Sequence, residues 1–327
     1  MKHLLSLVLC LSFLTASAEV RLTVRADEVK CAVSPTLYGL MTEEINFCYE
    51  GGLYSQLLRD PQMREREGDP RQRNRRNAPL RFWQWNDSIK TWTNQGFWGI
   101  AVRPSTEYRG KMKTDGKAVM SVGLRSTVDG TEYAQAIVSA SDAGWLDFTL
   151  NTAANIKETK DVEFFLQFTG DTRCALNYVS LTPVSKKQVT VKSDLYRTDL
   201  MDMLREMHPK FLRFPGGNYL EGNRFSERFW WQRTLGPVEL RPGHHCPWGY
   251  WSTDGMGLLE FLCWCEEMGA EPILGVFAGY TLQGDYVTGK ALNGFIEEAL
   301  DEIEYVIGDV STEWGARRAQ DGHPAPF

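Results

Sequence analysis

Phe211-Leu212-Arg213-Phe214-Pro215-Gly216-Gly217-Asn218-Tyr219-Leu220-Glu221-Gly222-Asn223 is the stretch whose reading decides the fold. Its first residues make a short apolar run of the length expected for a buried parallel strand. Pro215-Gly216-Gly217 ends that strand and lets backbone come close to whatever lies beyond it. Asn218, Glu221 and Asn223 then follow as polar groups just past the strand's carboxyl end, the edge at which α/β folds bind ligands. The bland alternative is a Pro-Gly turn carrying solvated polar residues.

Outward from this strand, toward the C-terminus, the rhythm is helix–strand–helix–strand. Thr198 or Asp199 is placed to cap a helix that bears Leu200, Met203, Leu204 and Met207 on one side. An aromatic loop passes through Trp230-Trp231 and His244-His245-Cys246. Adjacent His-His-Cys residues rarely converge on one ion and no spaced partner set accompanies them, so no metal is assigned. Ser252-Thr253-Asp254 is read as the cap of an apolar helix from Met256 to Met268, which Gly269 ends. Pro272 to Ala278 reads as another buried strand with Gly279-Tyr280 at its carboxyl end. Asn293 is read as the cap of a helix in which Phe295, Ile296, Ala299, Leu300, Ile303, Val306 and Ile307 keep a 3.6-residue period, closed by Gly308.

Toward the N-terminus, Lys2 and His3 precede an apolar run from Leu4 to Leu14, and Ala16-Ser17-Ala18 supplies small residues for cleavage. The pattern predicts a secretory signal peptide cut near Ala18, and hence a secreted or periplasmic, soluble protein with no membrane span. Val20 to Val24 alternates like a half-exposed strand. A strand through Thr36 to Met41 is expected to end at Thr42-Glu43-Glu44-Ile45-Asn46. Neighbouring strand residues face opposite ways, so at most one of Glu43 and Glu44 belongs to a site. Tyr49 to Tyr54 is read as turning into a short helix that includes Leu57 and Leu58. Arg64 to Arg76 is rich in arginine, but acids are interleaved, and a solvated connecting loop is the reading.

Between Pro79 and Pro183 the character changes to short alternating runs, among them 118–122, 134–138 and 164–168. Asp129-Gly130 and Gly170-Asp171 separate some of them, and the whole reads as an antiparallel β-sandwich. Trp83, Trp85, Trp92, Trp98 and Trp145 are candidates for a sugar-stacking face, against core packing as the plainer reading for each.

Length and composition bound these readings. A chain of 327 residues holds two domains, or one large barrel with an insertion. A formal charge of −6 argues against a general nucleic-acid binder. Export permits disulfides, yet Cys31, Cys48, Cys174, Cys246, Cys263 and Cys265 are sparse and irregular, and read as small buried thiols. Three parallel strands are legible, counting the one at Tyr38, whereas a closed (β/α)8 barrel needs eight. Exposed edges and bare apolar helix faces are then expected, as for a truncated product.

Several motifs together carry a resemblance. Leu37 to Asn46, Glu50-Gly51-Gly52-Leu53-Tyr54, Leu212 to Asn223 and Trp248-Gly249-Tyr250-Trp251-Ser252-Thr253-Asp254-Gly255 look like α-L-arabinofuranosidases of glycoside hydrolase family 51. Gly275 to Tyr280 fits as well. The resemblance implies an incomplete (β/α)8 TIM barrel, its first three βα units, with an inserted β-sandwich like a carbohydrate-binding module. It implies the segments 1–18 (signal), 19–78 (accessory strand and first barrel strand), 79–184 (sandwich) and 185–327 (partial barrel, ending before the fourth strand). The implied activity is retaining removal of terminal α-L-arabinofuranosyl groups from arabinose-containing polysaccharide or oligosaccharide, with no cofactor. That chemistry needs two carboxyl groups about 5–5.5 Å apart. In the family both are Glu residues at the ends of the fourth and seventh strands, so they are expected beyond Phe327. By resemblance Glu43 and Asn218 contact arabinose hydroxyls, and Arg213 fixes local carboxylates; a buried ion pair holding the strand ends is its other reading. Glu221 and Asn223 are weaker candidates. A non-catalytic carbohydrate-binding protein and a Glu43–Glu221 catalytic pair are the competing readings.

Overall fold

The computed structural model describes residues 21–67, 78–170, 174–184 and 195–327. The predicted signal peptide lies outside the described residues, as does 68–77 of the arginine-rich loop. Residues 21–37 belong to a unit of their own and contain no strand. The strand expected at 20–24 is therefore not formed over 21–24; Leu22 and Val24 are exposed and, among the described residues, have no strand beside them.

The remainder begins with β1 (Leu40–Met41), much shorter than the expected Thr36–Met41. A single π-type turn follows at Tyr49–Leu53, and Leu57 and Leu58 are not helical. Glu50 and Gly51 depart from helical angles there, so the Gly-Gly pair bends the chain instead of starting a helix.

The alternating runs become eight strands: β2 (Gln84–Asn86), β3 (Thr91–Asn94), β4 (Glu107–Thr114), β5 (Ala118–Ser126), β6 (Glu132–Ala140), β7 (Gly144–Asn151), β8 (Val162–Thr169) and β9 (Leu176–Pro183). They form two antiparallel sheets, ordered β2-β3-β8-β5-β6 and β7-β4-β9. Tyr108 and Met112 of one sheet and Met120, Val122, Phe164 and Leu166 of the other share one core. Trp83 is buried in that core and donates to the Asp60 carbonyl at 2.9 Å, so it has no face to offer a ligand.

The chain then enters α1 (Thr198–Glu206), β10 (Phe211–Phe214) and the single-turn α2 (Asn218–Glu221). The hairpin β11 (His244–His245) and β12 (Trp251–Ser252) precedes α3 (Leu258–Met268). The last elements are β13 (Glu271–Leu274), α4 (Asn293–Ile307) and α5 (Glu313–Gln320). Strands β1, β10 and β13 form one parallel sheet with β10 in the middle, and Leu212 and Phe214 are fully buried beneath the helices. The opposite face carries Met41, Arg213 and Ile273 in one cross-strand row, all exposed.

Several helix faces differ from the sequence reading. In α1 the core side is Leu200, Met201 and Leu204, while Met203 and Met207 are exposed. Helix α3 is buried nearly all round; Gly257, not Ser252–Asp254, occupies its cap, with the Glu260 carboxylate accepting from the Gly257 N–H. Gly269 ends it in the left-handed conformation, as expected. Strand β13 stops at Leu274 and is half-exposed instead of buried through Ala278. In α4 the buried positions are Glu302, Tyr305 and Val306, leaving Ile296, Leu300, Ile303 and Ile307 exposed. Of the thiols, Cys246, Cys263 and Cys265 are buried, but Cys31 is exposed and Cys48 and Cys174 are half-buried.

Candidate active site

The carboxyl edge of the three-stranded sheet gathers the residues singled out from sequence. The Thr42 N–H donates to the Arg213 carbonyl at 3.0 Å, which extends the β1–β10 ladder to the rim. Glu43 follows, half-buried, and its carboxylate accepts the Tyr219 N–H at 2.7 Å. The two strand ends are thus tied by a charge-assisted bond. Gly216 makes the approach feasible. Its φ is +121°, and a Cβ there would lie 2.5 Å from the Glu43 Cβ and Cγ. Asn218 is exposed at the same rim, one residue before the amide that holds Glu43.

The other candidates stand apart from that contact. The Arg213 side chain is exposed and donates to the Met41 sulfur at 3.0 Å; among the described residues it pairs with no carboxylate. The expected clamp on local acids is not formed, because alternation along β10 turns Arg213 to the open face of the sheet. Glu221 accepts from the Tyr280 hydroxyl, bridging the ends of β10 and β13. Asn223 is half-buried just beyond it.

Glu44 points inward, away from Glu43. It is fully buried, and its Oε2 accepts from the N–H groups of Tyr49 and Glu50. The Tyr250 hydroxyl beside it favours the charged form, but burial outweighs that contact. Burial first, and then the charge of Glu50, push its pKa from 4.5 up to about 8. Glu50 is buried as well and accepts from both the N–H and the hydroxyl of Thr253, at 2.7 and 2.6 Å. Burial raises its pKa to about 7. Next to it the His244 Nδ1 lies 2.8 Å from an Asp254 oxygen, and the imidazole packs against the Tyr219 ring. The Tyr219 hydroxyl shares a hydrogen bond with Ser252 at 2.8 Å. The rim that holds Glu43 therefore rests on a buried polar layer contributed by residues 44–50 and 244–254.

Sequence reasoning missed this layer. The sequence pattern places Thr253 in a helix cap, and nothing in the spacing from Glu50 to Thr253 signals their contact. The single local sign is Glu50 beside Gly51-Gly52, where a bend aims the carboxylate inward.

The acids give the fold a definite pH dependence. Both bind a proton more tightly folded than unfolded, so their contribution to stability is complete below about pH 4.5. It is lost as pH rises through about 7 for Glu50 and about 8 for Glu44. Thermal melts should fall steadily between pH 5 and 8.5, by an amount on the order of a few kcal/mol in stability. Glu44→Gln, which needs no proton, should flatten that slope; an unchanged slope would remove Glu44 as its source.

A groove of about 600 Å³ lies elsewhere, lined by Arg103, Tyr108, Tyr196, Arg197 and Asp199. Its guanidinium groups are already paired, Arg197 with Asp199 at 2.6 Å and Arg103 with Asp199 at 3.6 Å and with Glu158 outside the groove at 2.9 Å, and we place no chemistry in it.

A parallel sheet with polar groups at its carboxyl edge and a two-sheet insertion defines a class that comparison makes specific. Residues 203–327 match the family described as alpha-L-arabinofuranosidase 1 domain. The chain is 36% identical over 323 residues to a probable alpha-L-arabinofuranosidase A of Aspergillus terreus, covering 90% of this chain and 51% of that protein. It is 31% identical over 340 residues to alpha-L-arabinofuranosidase 1 of Arabidopsis thaliana, covering 90% and 48%. The arabinose-bound structure of the MgGH51 α-L-arabinofuranosidase superposes with a TM-score of 0.79 at 30% identity, over 89% of this chain and 52% of that one. The chain is thus a homologue of the α-L-arabinofuranosidases of glycoside hydrolase family 51, and it spans about half the length of the relatives it matches.

Proposed function

We propose that this chain supplies the arabinose-holding half of a retaining α-L-arabinofuranosidase. Residues 38–66 and 195–327 are read as the first three βα units of a (β/α)8 barrel, and 79–184 as an inserted carbohydrate-binding-type domain. The observation that carries the reading is the Glu43 carboxylate held against the Tyr219 N–H at the carboxyl edge of the sheet. A carboxylate with one oxygen so fixed keeps its remaining lone pairs in a defined direction for sugar hydroxyls. Asn218 is the second polar contact in this reading. Arg213, Glu221 and Asn223 are retained as outlying candidates. Retention of configuration requires an acid/base and a nucleophile about 5–5.5 Å apart, and we assign that pair to the half of the relatives' length that this chain does not match. The substrate is an arabinose-bearing polysaccharide or oligosaccharide met outside the cytoplasm, consistent with the N-terminal signal pattern. Among the described residues no helix is long and apolar enough to cross a membrane.

The test compares residues 1–327 with the complete protein. The shorter chain should bind L-arabinose weakly and release no nitrophenol from nitrophenyl α-L-arabinofuranoside, whereas the complete protein should turn it over. Turnover by residues 1–327, abolished by Glu221→Gln, would instead establish the Glu43–Glu221 pair.

A further inference from the structure

Tyr219 belongs both to the rim and to the buried layer beneath it. Its N–H holds the Glu43 carboxylate at 2.7 Å, while its side chain is fully buried and its hydroxyl shares a hydrogen bond with the Ser252 Oγ at 2.8 Å. The amide sits in α2, a helix of one turn, which has little rigidity of its own because a first turn fixes several dihedral angles for one hydrogen bond. The two ends of that turn are secured differently. Backbone bonds hold its carboxyl end: the Leu282 N–H donates to the Gly222 carbonyl at 3.0 Å and the Phe229 N–H to the Leu220 carbonyl at 3.2 Å. The amino end follows Gly216 and Gly217, which have no side chain to pack, and no side chain caps it. Among the described residues, that end is fastened by the bond to Glu43 and by the Tyr219 side chain.

The anchor of that side chain is itself well fixed. The Tyr219 ring meets Tyr49 edge-on at 5.9 Å and lies 5.6 Å from the Phe229 ring and 4.9 Å from the His244 ring, centroid to centroid. Such packing limits the tilt of the ring but leaves it free to slide along its own axis, and a directional bond at the hydroxyl removes that freedom. Ser252, which makes the bond, is buried in β12 and pairs across the hairpin with His244. Its Oγ also accepts the Asp254 N–H at 3.3 Å, and Asp254 lies 2.8 Å from the His244 Nδ1. The hairpin β11–β12 thus supplies a fixed point for an amide at the edge of a different sheet.

We propose that Tyr219 is a positioning residue for Glu43: its hydroxyl bond to Ser252 sets where its amide stands, and the amide sets the direction in which the carboxylate faces the sugar. The inference rests on the reading of Glu43 as the arabinose-holding group. It adds that the hairpin β11–β12 decides how well that group holds. A misplacement of about 1 Å can cost on the order of a hundredfold in rate, so a hydroxyl that removes only part of the freedom is expected to be worth about tenfold.

Kinetics of the complete protein on nitrophenyl α-L-arabinofuranoside test this. Tyr219→Phe and Ser252→Ala should each lower kcat/KM about tenfold, and the two together by no more than either alone, because they break one bond. Ser252→Thr, which keeps the hydroxyl, should recover most of the Ser252→Ala loss. The decisive arm adds Tyr219→Phe to Glu43→Ala, where it should change kcat/KM by less than about twofold, since no carboxylate remains to be aimed. An unchanged kcat/KM in Tyr219→Phe, beside an impaired Glu43→Ala, would overturn the proposal. So would the same loss from Tyr219→Phe in both backgrounds, which would make its hydroxyl a support of the fold alone. Wild-type kinetics in Glu43→Ala would instead remove the reading of Glu43 on which the inference stands.

Discussion

Replacing Arg241 with methionine is expected to destabilise the fold by about 3–5 kcal/mol, the cost typical of leaving a buried charge without its partner. Arg241 and Glu260 are both almost completely buried and meet in a bidentate pair at 2.8 and 2.9 Å. The same guanidinium donates to the Gly236 and Asp254 carbonyls, so it fastens the loop before β11 to the segment that underlies the site. Glu260 in turn accepts the Gly257 N–H at the start of α3. Arg241→Met leaves a carboxylate in the core and frees two carbonyls at once. Urea unfolding should show the loss as a lower midpoint at unchanged slope. The double variant Arg241→Met/Glu260→Leu should recover part of it, because no lone charge remains. Equal stability of the single and double variants would assign the effect to the carbonyls alone.

The second large effect is expected from one added methyl group. Gly216→Ala places a Cβ 2.5 Å from the Glu43 side chain, on a backbone with φ of +121°. The backbone strain alone costs about 1–3 kcal/mol, and relief of the clash must push Glu43 off the Tyr219 amide. Stability and arabinose affinity should therefore fall together. Gly216→Ala combined with Glu43→Gly should recover the part of the stability lost to the clash, keep the loss due to backbone strain, and leave arabinose binding lost. If Gly216→Ala alone kept its arabinose affinity, the contact between the two strand ends would have no part in the site.

The parts of this arrangement legible in the sequence are those fixed by local chemistry. Phe211–Phe214 reads as a buried strand because both its length and its Pro-Gly-Gly stop are written in neighbouring residues, and it is the central strand of the sheet. The sandwich runs were legible because alternation has a period of two wherever one face is buried; Tyr108, Met112, Phe148 and Leu150 face the core as that period requires. That Glu43 and Glu44 part company follows from the same geometry.

What was not legible depends on contacts far apart in the chain. In α4 the apolar residues span more than one face, so periodicity alone does not choose between them. Packing chooses: Phe295 stacks on Phe225, and the Arg228–Glu298 pair at 2.6 Å anchors that side, so Tyr305 and Val306 go in and Ile296 and Ile307 stay out. The Glu50–Thr253 bond joins residues 203 positions apart, and no short-range pattern announces it. The family resemblance places Arg213 among the local acids. Its alternation along β10 puts it with Met41 and Ile273 instead.

The most direct measurement is the kinetic comparison of the complete protein with its Glu43→Ala variant on nitrophenyl α-L-arabinofuranoside. If Glu43 holds the sugar, kcat/KM should fall at least a hundredfold, about 2.7 kcal/mol at the transition state, with the fold retained apart from the loss of the single Tyr219 bond. Wild-type kinetics in Glu43→Ala would contradict the account, because the carboxylate at the edge of the sheet would then hold nothing that reacts.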